Sequence, residues 1–186
     1  PLLIVAAVVV VAICAAVFFI TRNSASAVAE RYILGCFKDE KAATALQAYD
    51  YNAYRLVDYD GDEEAFFEYA SETFDADITS WNDYYKAVDD DFKESLEEVY
   101  GEYKVTAKVL KSKDISVKRV LEEKESLIEL LENDINFDSD KISDAKLVTV
   151  RLKIAGEDGI RRNKYEVYVV KMGLSWRVLA WDYVND

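Results

Sequence analysis

The order of apolar and polar positions divides the chain into unlike stretches. Leu2 to Ile20 reads LLIVAAVVVVAICAAVFFI, 19 residues without a charged or polar side chain. From Val28 to Tyr100, apolar residues recur at spacings of three and four, the period of helices buried along one side. After Gly101 the period falls to two, the mark of strands with one wet face.

The helical stretch resolves into several elements. A first helix is predicted around Ala29–Lys38. A second follows Asp39 as cap and carries Ala42, Ala45, Tyr49, Ala53 and Leu56 in one stripe. A third follows Asp60-Gly61-Asp62 with Phe66, Phe67, Ala70 and Phe74. The longest stripe, Ile78, Trp81, Tyr85, Val88, Phe92, Leu96 and Val99, predicts a fourth helix with a buried side. Ser80 is its expected cap, because a hydroxyl there can accept an orphan backbone N–H, and Gly101 its stop.

In the second half, Val105, Ala107 and Val109 alternate with Lys104, Thr106 and Lys108. Ser116 opens a helix to Asn133. Three more strands follow, centred on Val148–Ile154, Tyr165–Val169 and Ser175–Tyr183, with turns at Gly156-Glu157-Asp158-Gly159 and Met172-Gly173-Leu174. Strands joined by such short turns pair as an antiparallel meander. The expected fold class is therefore α+β: residues 28–101 helical, residues 102–186 a strand, a helix and a three-stranded meander, with the helices on one face of a curved four-stranded antiparallel sheet.

Residues 2–20 are long enough, at about 1.5 Å per residue, to cross the ~30 Å hydrocarbon core of a bilayer as a transmembrane helix. The competing reading is a cleaved signal peptide, for which Ala25-Ser26-Ala27 resembles a processing site. Arg22 is the charged flank that follows the span. The expected arrangement is a single-pass anchor at residues 1–20, a polar joint at residues 21–27, and an extracytoplasmic domain from residue 28.

Composition removes whole classes of chemistry. No histidine occurs among the 186 residues, so neither a His-dependent triad nor a His-containing zinc site is possible. Cys14 lies in the apolar segment, which leaves Cys36 alone in the domain without an internal disulfide partner. The net charge is −13, and with Arg22 the single charge before Val28 the domain itself carries −14. That balance argues against nucleic acid as a partner. It also predicts that like charge holds the domain off anionic lipid.

Candidate chemistry is sparse, with no cofactor, metal ligand set or catalytic group expected. Asp58-Tyr59-Asp60-Gly61-Asp62 invites a calcium reading, but Glu63 and Tyr69 stand where an EF-hand loop needs Gly and Glu. Asp134, Asn136, Asp138 and Asp140 fail at Ser139 and Ala145 in the same way. Asp89-Asp90-Asp91 reads as a solvated helix face. Tyr51, Tyr54 and Tyr59 crowd one segment with Tyr49 and cannot all point inward, so some are expected at the surface, where tyrosine suits glycan or protein contacts. Arg161, Arg162 and Lys164 form the one dense basic spot of the domain, able to meet an anionic partner such as an envelope polymer. Trp176 and Trp181, five apart on one strand, are expected to face opposite sides.

The order of helices, strand, helix and meander, closing on Gly173-Leu174-Ser175-Trp176-Arg177-Val178-Leu179, resembles the NTF2-like and cystatin-like ectodomains of membrane-anchored and lipoprotein chains of Gram-positive bacteria. Gly173, Trp176, Val178 and Leu179 fit the final hairpin of that group. The resemblance implies a cone-shaped α+β domain with a pocket between helices and sheet. It implies a non-catalytic binding, sensing or spacing module at the cell envelope. Enzymes of the fold use a pocket carboxylate or histidine with tyrosines, and no such set maps residue by residue onto this chain. The alternatives are an enzyme with an Asp or Glu and a Tyr in its pocket, and a purely structural protein-interaction domain.

Overall fold

A computed structural model describes residues 23–184. Its centre is a sheet of four antiparallel strands in sequence order: β1 (Tyr103–Ile115), β2 (Ile142–Gly156), β3 (Gly159–Met172) and β4 (Ser175–Val184). Gly156 pairs with Gly159 across the two-residue turn Glu157-Asp158, and Met172 with Ser175 across Gly173-Leu174. Gly173, at φ 59°, opens the second turn in a conformation that other residues rarely adopt. Gly156 is required for a different reason: a Cβ there would lie 2.2 Å from the Tyr100 carbonyl oxygen.

Helices cover both faces of this sheet, not one. Helix α1 (Ala25–Gly35), capped by the Ser24 hydroxyl, touches all four strands. It buries Val28, Ala29, Tyr32 and Ile33 against Val148, Val150, Val167 and Val169. Helices α6 (Val117–Glu123) and α7 (Glu125–Asp134) follow β1, in place of one continuous helix. They bring Val120, Ile128 and Leu131 onto the opposite face, against Ala145, Leu147, Tyr168 and Val170. The reason is visible in β3, where Val167, Tyr168, Val169 and Val170 are buried in succession. A strand buried on both faces has no polar alternation.

A bulge in β4 overturns the expectation for the tryptophans. Tyr168 pairs with Ala180 and Val169 with Val178, which leaves Leu179 as the extra residue. Trp176, Val178 and Trp181 then pair with Lys171, Val169 and Val167, so both tryptophans lie on the α1 face. Of the five steps between them one belongs to the inserted residue, and the remaining four return the chain to the same side.

The remaining helices are α2 (Glu40–Thr44), α3 (Tyr51–Leu56), α4 (Glu63–Phe74) and α5 (Trp81–Tyr100). The single helix expected from Asp39 through Leu56 is broken between Ala45 and Asp50. There the chain runs beside the free edge of β4: Ala48 N–H donates to the Val178 carbonyl at 2.8 Å, and Val178 N–H to the Leu46 carbonyl at 2.9 Å. Satisfying an open sheet edge outweighs continuing a helix. Asp50 then restarts it by accepting from the N–H groups of Asn52 and Ala53.

Helices α4 and α5 form an aromatic cluster of their own around fully buried Phe66, whose ring lies 4.9 Å from Trp81 and 5.1 Å from Tyr84. Helix α5 outruns its partner, so the long stripe is buried only at its start. Phe92 remains 39% and Val99 57% exposed. The expected span at residues 2–20 lies outside the described residues, whereas Ala25-Ser26-Ala27, expected as a processing site or as the end of a polar joint, forms the first turn of α1 with Ala25 buried. Among the described residues, no helix is long and apolar enough to cross a membrane.

Candidate functional site

The break between α2 and α3 builds a pocket at the β4 edge. It encloses about 410 Å³ between the end of α1, α2, α3 and α7, with Leu179, Ala180 and Trp181 of β4 as its sheet side. Its polar groups come from four elements: Tyr32, Glu40, Gln47 and the Tyr51–Arg55 helix. Two aspartates position Glu40. Asp39 caps α2 through the Ala42 N–H at 2.9 Å, and Asp89 on α5 accepts the Glu40 N–H at 2.9 Å. Asp89 is thus half-buried, whereas its neighbours Asp90, which pairs with Lys86, and Asp91 are exposed.

Burial governs the chemistry of the pocket. It raises the Glu40 carboxyl above the usual range; a hydrogen bond with Tyr51 opposes this, nearby Asp89 adds to it, and Arg55 opposes it. Burial also pushes the Cys36 thiol up to about 12, with Glu40 contributing in the same direction. The hydroxyls of Tyr32 and Tyr51 are raised well beyond their ordinary value by burial, and that of Tyr49 to about 12. Near neutral pH the thiol and phenols are therefore protonated hydrogen-bonding groups and not nucleophiles or bases.

Two polar atoms of the pocket residues lack partners. Gln47 donates from Nε2 to the Tyr32 hydroxyl at 3.2 Å, but its Oε1 and the Nε of Arg55 are buried with no hydrogen-bond partner among the described residues. The Arg55 guanidinium lies 5.7 Å from the Phe66 ring and 6.0 Å from that of Tyr84, which holds it against the aromatic cluster. Unsatisfied buried groups cost free energy, so they mark places where a ligand would be welcomed.

A larger cleft of about 810 Å³ lies on the other side of the Gln47–Tyr51 segment. Gln47, Tyr49 and Tyr51 line it as well, but Arg55 does not, and several of its other polar groups are already engaged. Arg177 donates to the Ala45 carbonyl at 2.6 Å, Lys41 to Asn82 at 2.7 Å, and Tyr85 to Asn52. Size alone does not make it the better site.

Of the residues singled out from the sequence, Tyr51, Tyr54 and Trp181 meet in the smaller pocket. Trp181 stands at its rim, 44% exposed, edge-on to Tyr165 at 5.5 Å. Tyr59 packs on Phe66 instead, at 5.4 Å. Trp176 packs on the α1-side core, with Lys146 and Lys171 about its ring. Arg161, Arg162 and Lys164 belong to the β2–β3 hairpin, and none of them lines the pocket. Glu40, Gln47, Arg55 and Tyr32 were missed, since nothing in their spacing separates them from an ordinary helix surface.

Among the residues lining the pocket, Glu40 is the one carboxylate and Arg55 the one cation. No group of three Cys, Asp or Glu side chains suited to a metal ion occurs among the described residues. Asp62 and Asp138, from the two loops with a calcium-like rhythm, cap their own backbone. No protein-family model, curated protein or solved structure matches the chain.

Proposed function

We propose that this chain is a membrane-anchored, extracytoplasmic binding module, non-catalytic, whose β4-edge pocket takes a neutral, hydroxyl-rich ligand such as one sugar unit of an envelope polymer. The observation that carries this reading is the unpartnered pair, Gln47 Oε1 and Arg55 Nε, in a pocket walled by Tyr49, Tyr54 and Trp181. One acceptor, one donor, and a carboxyl offset by a guanidinium suit a ligand with hydroxyl or amide groups and no net charge. The aromatic walls suit its apolar face. The apolar segment at residues 2–20 supports the anchor. One helix laid across a four-stranded meander supports the NTF2-like or cystatin-like reading, to which the α6–α7 layer is an addition.

Titration of the full chain in detergent with N-acetylglucosamine and with glucose, followed by saturation-transfer NMR, tests the pocket. Binding that is lost in Gln47→Ala and in Tyr51→Phe is expected. Binding unchanged in both variants, or no binding to either sugar, overturns the reading.

The desolvated Glu40 beside Tyr51 favours one second reading, a hydrolase with Glu40 as proton donor. A glycosidase needs a second carboxylate about 5–10 Å away, and none lines this pocket. Turnover of nitrophenyl glycosides that disappears in Glu40→Gln would establish the second reading over the first.

A further inference from the structure

The strand register gathers six of the 23 basic residues of this acidic protein at one end of one sheet face, with Glu166 and Asp182 in the row beyond. Lys108, Arg151 and Lys164 stand directly opposite one another across β1, β2 and β3, and the adjacent row holds Thr106, Lys153 and Arg162. Paired residues share a face, and this is the side covered further along by α6 and α7. Lys104 continues the patch on β1, in register with Ala155 and, through it, with Ile160. Lys104, Lys108, Arg151 and Arg162 are exposed, and neither they nor Lys153 forms an ion pair among the described residues.

Like charges directly opposite in a sheet repel, so the two rows weaken the fold that carries them. The cost is offset when an external anion lies against the face. The shape of the face favours one kind of anion. The cations spread over three neighbouring strands, and none of the clefts described above is lined by them. No aromatic side chain stands among them to stack on a sugar or base. Two exposed apolar residues border them instead, Ile160 at 55% and Leu110, the extra residue of the β1 bulge, at 38%. A broad cationic face edged with apolar side chains matches a bilayer surface.

We infer that the exposed face of β1, β2 and β3 docks on anionic lipid, laying the domain against the membrane that its N-terminal segment enters. The net charge had pointed the other way, but a net charge averages over faces that the fold separates. Close to a membrane, the potential at this face counts, because charges beyond about 8 Å are screened at physiological salt. This inference rests on the reading of residues 2–20 as a membrane span.

The test is lysine acetylation footprinting of the full chain reconstituted in phosphatidylcholine vesicles, with and without about a third phosphatidylglycerol. Rates at Lys104, Lys108 and Lys153 are expected to fall about threefold or more with the anionic lipid, while Lys86, on the exposed side of α5, keeps its rate. About 0.5 M NaCl should restore the rates, and so should the Arg151→Glu/Arg162→Glu variant, which leaves every reporting lysine in place. Insertion into both bilayers with equal rates overturns the docking face and leaves the anchor standing. Failure to insert into either overturns the anchor and this inference together. Protection by soluble polyphosphate on neutral vesicles, without protection by anionic lipid, replaces the bilayer with a polymer and also overturns it.

Discussion

Asp89 on α5 accepts the backbone N–H of Glu40 on α2 at 2.9 Å, which brings a second carboxyl near that of Glu40. Burial is the main cause that raises both above the usual carboxylate range; Asp89 adds to the rise at Glu40, while at Asp89 the Glu40 N–H opposes it and Asp39 and Asp90 add to it. The sign follows from linkage. A carboxyl raised in the folded state binds its proton more tightly there than in the unfolded chain. Its stabilising contribution is complete below the unfolded value and is lost as pH rises through the folded one. Glu40→Gln, which fixes the neutral form, is therefore expected to melt above the parent at pH 7.5. The gap should close by about pH 4, near the ordinary glutamate value. Thermal melts of both proteins at the two pH values measure it, and a gap that persists at the acid end would contradict the assignment.

The aromatic cluster between α4 and α5 stands apart from the two sheet cores and depends on one ring. Phe66 is fully buried and lies within 6 Å of Tyr59, Phe67, Trp81 and Tyr84. Phe66→Ala should cost about 3–5 kcal/mol, the range for emptying a buried aromatic site. Because Arg55 rests on the same ring, the variant should also loosen the pocket. Urea denaturation with tryptophan fluorescence reads the loss, and Trp81 reports it at first hand.

Local patterns fixed what local physics controls. The caps at Asp39, Ser80 and Ser116, the four strands and both tight turns could be read along the chain, because each depends on neighbours a few residues away. What could not be read depends on distant partners. The helix stripe from Ala42 to Leu56 is interrupted because Val178, more than a hundred residues on, needs partners for its edge N–H and carbonyl. The bulge at Leu179 reverses the side of Trp181, and no alternation pattern announces an inserted residue. The pocket owes its existence to that interruption. Tyr51 and Tyr54 were legible as crowded tyrosines, whereas Glu40, Gln47 and Arg55 became a set only through folding. The apolar run Val167–Val170 did carry the signal for helices on both faces.

The segment from Ala45 to Asp50 acts as cover for the β4 edge. Ala48→Pro removes the N–H that bonds the Val178 carbonyl and leaves that acceptor without its partner. A destabilisation of about 1–3 kcal/mol is expected, together with faster amide exchange at Val178. An uncovered edge also invites pairing between chains, so sedimentation should show more self-association in the variant than in the parent. Retained protection at Val178 in the variant would show that this segment does not hold the edge.

Cys36 ends α1 inside the pocket, and its burial sets a clear limit on its reactivity. Raised from 9.0 to about 12, its thiol is almost entirely protonated at pH 8. A rise of that size lowers the thiolate fraction on the order of a thousandfold. In a Cys14→Ala chain, alkylation by iodoacetamide at pH 8 should therefore be slower by at least about a hundredfold in the native state than in urea, even when some of the reaction runs through brief opening. Glu40→Gln removes the nearby carboxylate that adds to the rise, so the native rate should climb while burial still holds it below the unfolded one. Equal rates in the parent and Glu40→Gln would separate the thiol from the carboxyl and break the electrostatic link between α1 and α2.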